Sequence, residues 1–305
     1  MRFAPLPLLQ GLRSPRWLPY YFLAPALLML SLAVFIPALQ AFSLSFTQYE
    51  YDLTAAPQWV GLANFERLRQ DPVFWKTLSN TLLYLLGVVP VLVTLPLLLA
   101  ILVNQRLQGI HWFRMFFYTP VVISMVVAGI AWKALYSNNG LLNQLLQNLG
   151  LSEPIPWLTD PQWVLGSVMV VTIWKGLGYY MVIYLAGLQT IPGDLYEAAA
   201  LDGSVGWRQH WDITVPLMRP YLTLVAVISA ISATKVFEEI YIMTQGGPLN
   251  SSKTVVYYLY EQAFQNLEVS YACTIGLVLF LIIFGLSLLN LKLSQGQGAY
   301  GSVKF

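Results

Sequence analysis

Six apolar stretches punctuate the chain, at about 17–46, 77–103, 113–135, 163–188, 222–242 and 271–291. Each exceeds the roughly twenty residues a helix needs to cross a hydrocarbon core, so each is read as a membrane span. Prolines fall inside several of them: Pro25, Pro37, Pro90, Pro96 and Pro120. In water they would argue against helix. In lipid, neighbouring helices and Ser/Thr side chains can satisfy the backbone groups that proline frees. Between the fourth and fifth stretches lies 197–216, which is too polar to cross. Ile191-Pro192-Gly193-Asp194 predicts a turn, and Asp194 with Glu197 a capping-box-like pair. The helix so started should stop at Gly203, and a second short helix over about 205–211 should end before Pro216.

Composition sharpens this picture. The chain has 305 residues, 57% of them hydrophobic and 10% charged, with a mean hydropathy of +0.62. Soluble domains carry about a quarter charged residues, so an all-α integral membrane protein is expected: one polytopic domain over 1–305. The run from 20 to 46 is too long for a signal peptide's apolar core and has no small-residue cleavage site, so it reads as a retained span. A net charge of +2 gives no case for nucleic acid. The single cysteine, Cys273, sits in an apolar run, so neither an internal disulfide nor a metal site is expected.

Basic residues set the orientation. With the N-terminus inside, the inner segments hold nine (Arg2, Arg13, Arg16, Arg106, Arg114, Arg208, Arg219, Lys292, Lys304) and the outer segments four (Arg67, Arg69, Lys76, Lys253). Both termini and the 197–216 loop are therefore expected in the cytoplasm. The polar, glycine-rich tail from 294 is expected to be unstructured.

The loop carries a pattern: Glu197-Ala198-Ala199, Gly203, Ile213 and Val215-Pro216. It resembles the cytoplasmic coupling loop of permeases from ATP-driven, binding-protein-dependent importers, with Val215 where that family has Leu. Four further groups resemble the carbohydrate branch of the family, of the maltose-transporter type. They are Gly61 to Phe65 with Asp71 to Trp75, Trp174 to Gly176, Gly187 to Pro192, and Thr244 to Pro248. The resemblance implies a six-helix permease in the inner (plasma) membrane, paired with a second, homologous permease. It implies two cytoplasmic subunits that bind ATP and Mg, and an extracytoplasmic receptor that delivers a sugar or oligosaccharide. It assigns Glu197, Ala198, Ala199, Asp202, Gly203, Ile213 and Pro216 to ATPase coupling. Thr172, Lys175, Gly176, Tyr179, Ser229, Ser232 and Val236 are implied to line the substrate pathway.

Read by themselves, several of these residues have two explanations. Lys175, beside Trp174, Gly176, Gly178 and Tyr179, suits a hydrated pocket for a polyol, or pairs with an acid on another helix. The glycines serve that pocket or close helix packing. Lys235 lies three and four residues before Glu238 and Glu239, the spacing of an intrahelical ion pair. Ser229, Ser232 and Thr234 can back-bond to their own helix, and Lys133 can snorkel.

Enzyme signals are weak. There is no P-loop, the Gly296-to-Gly301 fingerprint lies in a tail without a flanking strand or helix, and His111 and His210 are far apart. The chain is expected to be a non-catalytic transport subunit. A same-fold permease for glycerol phosphate or a compatible solute is the nearest alternative. A proton-coupled carrier relaying through Lys235 and Glu239 is an alternative of another class.

Overall fold

The computed structural model describes residues 18–49, 57–105, 108–150 and 153–297, with side chains given to residue 288. Arg2, Arg13, Arg16, Arg106 and the tail beyond Gln297 lie outside them. The elements in order are α1 (Leu18–Leu30), a π turn (Ser31–Phe35), α2 (Ile36–Leu44), β1 (Thr47–Gln48), β2 (Gln58–Trp59), α3 (Ala63–Gln70) and α4 (Pro72–Val103). Next come α5 (Ile110–Val122), α6 (Met125–Leu135), α7 (Leu141–Asn148), α8 (Val164–Leu188) and α9 (Gly193–Leu201). The chain continues through α10 (Trp207–Gln209), a π turn (His210–Thr214), α11 (Val215–Leu217), α12 (Arg219–Thr234) and α13 (Glu238–Met243). It closes with α14 (Val255–Tyr260), a π turn (Glu261–Gln265) and α15 (Val269–Gln297). Because α15 reaches Gln297, the start of the polar tail is helical rather than unstructured.

Among the described residues, 4 helices are long and apolar enough to cross a membrane, or up to 6 if each of two bent pairs is one span. The bent pairs are where the structure departs from continuous spans. α5 and α6 meet at 100°, with Ile123 and Ser124 extended between them. In the second pair, Trp207–Leu217 and α12 meet at 70°, and the fifth stretch is broken besides, α12 ending at Thr234 and α13 beginning at Glu238.

The described residues form two compact units, one built from residues up to Arg69 with Gln262–Leu277, the other from Gln70–Glu261 with residues from Val278 onward. In the first, β1 and β2 pair antiparallel, Thr47 opposite Trp59 and Gln48 opposite Gln58. The 61–65 motif explains itself here. Gly61 turns the chain at φ +62, the Asn64 amide donates to the carbonyls of Ser45 (3.0 Å) and Thr47 (2.8 Å), and the Phe65 ring lies 5.2 Å from that of Phe46. Arg67 pairs with Glu268 at 2.6 Å and lies over the Tyr271 ring.

The second unit is built on α4, which packs along α8 and against α12. Tyr84, Val88 and Leu92 of α4 and Val168, Val171, Met181 and Tyr184 of α8 fill this core, while Leu82, Leu83 and Leu86 point outward, apolar as lipid requires. Pro96 costs α4 a hydrogen bond, and the Tyr184 hydroxyl donates to the nearby Val93 carbonyl at 3.0 Å. Gly178 lets α5 approach α8: a Cβ there would meet the Phe117 carbonyl oxygen at 2.2 Å. Asp71 caps α4 by accepting from the amide of Val73 at 2.8 Å.

The Thr244-to-Pro248 motif forms a hairpin with a cis Gly247–Pro248 bond and Gly246 at φ +78. The Ser252 hydroxyl donates to the Gly247 carbonyl (2.6 Å) and lies 2.8 Å from Thr244 Oγ1. Buried Asn80 of α4 pins the far arm, donating to the carbonyls of Asn250 (2.7 Å) and Lys253 (2.9 Å). Asn80→Ala strips both carbonyls of their donor and should cost about 1–3 kcal/mol. A lowered thermal midpoint of the purified protein checks this; an unchanged midpoint would show that the hairpin does not need the amide.

Candidate functional site

A cavity of about 540 Å³ opens in the second unit, between α4, α5, α6, α8, α12 and α13. All seven residues expected along the substrate pathway line it: Thr172, Lys175, Gly176, Tyr179, Ser229, Ser232 and Val236. Tyr84, Tyr180, Phe237, Glu238 and Glu239 line it as well. Tyr84 and Tyr180 stand in apolar helix stretches with no local feature that marks them, so sequence reasoning missed them.

Both helix breaks reach this cavity. At the first, the chain leaves α5 at Ile123, and the Ser124 hydroxyl accepts from the Val127 amide to start α6. The carbonyls of Pro120, Val121 and Ile123 have lost their helical partners, and Lys175 supplies the replacement. Its ammonium lies 3.4, 3.3 and 2.7 Å from them. Neither sequence explanation of Lys175 described this arrangement: its partners are backbone oxygens, not an acid. Its neighbour Trp174 meets Trp132 edge to face at 5.5 Å, which is packing.

At the second break, Lys235, Val236 and Phe237 are non-helical, and Thr254 donates to the Val236 carbonyl at 3.0 Å. This break removes the expected intrahelical ion pair. Lys235 ends one helix and Glu238 and Glu239 begin the next, so the three-and-four spacing no longer brings them together. Among the described residues Lys235 makes no ion pair. Glu239 turns to α8, where the Thr172 hydroxyl donates to it at 3.3 Å while bonding Tyr84 as well. Ser229 and Thr234 back-bond to Ala226 and Ala230, as the local reading allowed. Ser232 lies within hydrogen-bonding reach of Tyr180. Lys133 reaches the Ile242 carbonyl at 3.4 Å.

The polar loop is a second, separate feature. α9 begins after Pro192, and no side chain caps it, so the predicted capping box does not form; Asp194 sits instead in the first turn, where a negative charge suits the helix dipole. α9 ends at Leu201. Gly203 follows at φ +83, with its amide bonded to the Ala200 carbonyl and that of Ser204 to Ala199, the double closure that needs a left-handed residue. The second helix runs past Pro216 to Leu217, further than predicted. The π turn at 210–214 widens the helix, so the proline ring avoids the carbonyl an α turn would set against it.

The two arms are tied by Ser204 to Asp212 at 2.7 Å and by Tyr196 to Thr214 at 2.9 Å. Burial lowers the His210 imidazole below its ordinary value, and its Nδ1 lies 3.1 Å from Thr214 Oγ1. Of the expected coupling residues, Glu197, Ala198, Asp202 and Gly203 are exposed, Ala199 is buried, and Ile213 and Pro216 are half-buried. Around them Leu201 (90% exposed), Val205, Trp207 and Trp211 (70% exposed) present an apolar surface. Sequence reasoning did not single out these four.

Apolar spans around a polar cavity, with an outlying two-helix loop, define a membrane transport subunit. The chain belongs to the family of binding-protein-dependent transport system inner membrane components, whose model matches residues 60–294. It is an ABC-importer permease subunit of the inner membrane, which sets aside the proton-driven reading. It is 35% identical to the lactose transport system permease protein LacF of Rhizobium radiobacter, over 89% of this chain and 92% of that protein. It is 34% identical to the arabinooligosaccharides transport system permease protein AraP of Bacillus subtilis, over 93% and 92%. Its fold matches a solved bacterial ABC transporter involved in import of the acidic polysaccharide alginate, with a TM-score of 0.82, 24% identity, and coverage of 94% of this chain and 98% of that one.

Lys175→Met should leave three carbonyls at the α5–α6 break without a donor, lowering stability by about 1–3 kcal/mol, with Lys175→Arg largely preserving it. Thermal unfolding of the purified protein reads this directly. A methionine variant as stable as the parent would show that another group caps the break.

Proposed function

We propose that this chain forms half of the membrane pathway for a sugar or oligosaccharide, the other half coming from a second, homologous permease. The observation that carries the reading is the cavity. Saccharides are held by hydrogen bonds to hydroxyls and by stacking of their apolar faces on aromatic rings, and this cavity offers Thr172, Ser232 and Glu239 beside Tyr179, a residue 45% exposed. Relatives named for lactose and for arabinooligosaccharides support the same cargo class.

The partners follow from the class. An extracytoplasmic receptor would deliver the saccharide; a solved alginate transporter of this fold was captured with a ligand-bound periplasmic protein. Two ATPase subunits, which bind the ATP and Mg, would grip the 193–217 loop from the cytoplasm. The exposed Leu201, Val205, Trp207 and Trp211 are the apolar anchors such an interface uses. The chain would cross the membrane six times, as one permease domain with both termini inside, α5 with α6 serving as the third span and α12 with α13 as the fifth. ATP binding would close the ATPases and turn the cavity outward, and hydrolysis would return it inward; each step biases one of two states.

Two measurements test this. Tyr179→Ala should lower saccharide uptake about tenfold at fixed abundance of the assembled complex; uptake equal to the parent's would remove Tyr179 from the pathway. Gly203→Asp, which forces a side chain into a left-handed position, should abolish uptake while the chain still inserts, and cysteines at Ala199 or Gly203 should crosslink to the ATPase. Full uptake in Gly203→Asp, together with no crosslink, would sink the coupling assignment.

A further inference from the structure

We propose that the cavity favours neutral saccharides over acidic ones and that Glu239 sets the preference; this rests on the saccharide-permease reading above. Four charged residues line the cavity: Lys175, Lys235, Glu238 and Glu239. Their formal charges balance, but their capacity to hydrogen-bond a ligand does not. An ammonium has three N–H donors, and those of Lys175 face three backbone oxygens at 3.4, 3.3 and 2.7 Å. Its hydrogen bonds are committed to holding the α5–α6 break. Its positive charge remains and acts on Glu239, but the ammonium left to donate to a ligand is Lys235, against two carboxylates that accept.

Of these, Glu239 is held in place. Tyr84, fully buried, bonds Thr172, and Thr172 donates onward to Glu239 Oε1 at 3.3 Å. The carboxylate lies half-buried in the cavity wall, and among the described residues no Lys or Arg forms an ion pair with it. A carboxylate accepts about four hydrogen bonds; Thr172 and the residue's own amide supply two, and the remainder is left for a ligand. Vicinal hydroxyls of a saccharide fit it as paired donors. A uronate or phosphorylated sugar placed on Glu239 would instead bring acceptors that it cannot pair with and a negative charge that it repels. The half-exposed Tyr179 ring offers stacking to either kind of sugar and does not discriminate between them.

Glu239→Gln isolates the charge, because the amide oxygen can still accept from Thr172. The complete importer, reconstituted in vesicles with its receptor, is supplied in turn with lactose, an arabinose trisaccharide and digalacturonate. The parent should carry at least one neutral saccharide and should not carry digalacturonate. The variant should carry that neutral saccharide about tenfold more slowly, as loss of a charge-assisted bond implies. Receptor affinity, receptor-stimulated ATP hydrolysis and thermal stability should be unchanged. Unchanged uptake in the variant, or digalacturonate carried by the parent as fast as the neutral sugars, would overturn the role of Glu239. A parent that carries none of the three, yet imports a non-saccharide solute, would instead overturn the saccharide reading itself.

Discussion

Inside a bilayer no water is available for an unpaired backbone group, so every amide and carbonyl at membrane depth must find a partner within the protein. This constraint explains the second unit better than any single contact. Two of its helical stretches are broken, at 123–124 and at 235–237, and each break frees carbonyls that lipid could not satisfy. Each has a dedicated donor brought from elsewhere in the chain: Lys175 from α8 for the first, Thr254 from the Thr-x-Gly-Gly-Pro hairpin arm for the second. The breaks occur where the cavity is. Irregular backbone at such depth is tolerated where it is buried in protein or lines a cavity, and here it does both.

The same constraint explains which parts of the structure were legible in the sequence. Apolar length alone located the helices that carry the bundle. The left-handed stop at Gly203 needed only local chemistry. The breaks were not legible, because what makes them tolerable lies far away in the chain: Lys175 follows Ile123 by some fifty residues. Once the second break was missed, Lys235 and Glu239 fell at ideal helical spacing and read as partners. Pro216 misled in the opposite direction, since the rule that proline ends a helix assumes an α turn before it, and the widened 210–214 turn removes the clash. Several motif and glycine positions have a structural task in the fold. Asn64 and Phe65 brace the β1–β2 pair, and Gly178 admits a neighbouring backbone, the packing reading of that glycine.

The cavity's composition was legible only collectively. No single lining residue is diagnostic: a threonine, a tyrosine and two serines on long helices are ordinary features. Resemblance to the importer family nominated seven positions, and the fold brings all seven to one surface although they come from two helices and a break. Tyr84 shows what that route cannot find. It lies on α4, outside any motif, yet it is buried and orients Thr172, which in turn fixes Glu239.

The cavity and the polar loop are also mechanically continuous. α11 passes through buried Met218 into α12 with a bend of 70°. Gly187 at the end of α8 sits so close to this joint that a Cβ would meet Tyr221 at 2.8 Å and Met218 at 2.9 Å. From there α12 runs for 16 residues, about 24 Å at 1.5 Å per residue, carrying Ser229 and Ser232 into the cavity and ending at the 235–237 break. A helix is stiff along its length, whereas a break is compliant. In the proposed cycle, a push on the loop would therefore travel along α12 and be absorbed at Lys235 to Phe237, beside Glu239. A continuous fifth span would have carried the same displacement through to the hairpin that Asn80 holds fast. The break supplies the cavity's irregular wall, and in the proposed cycle it would let that wall move without the hairpin.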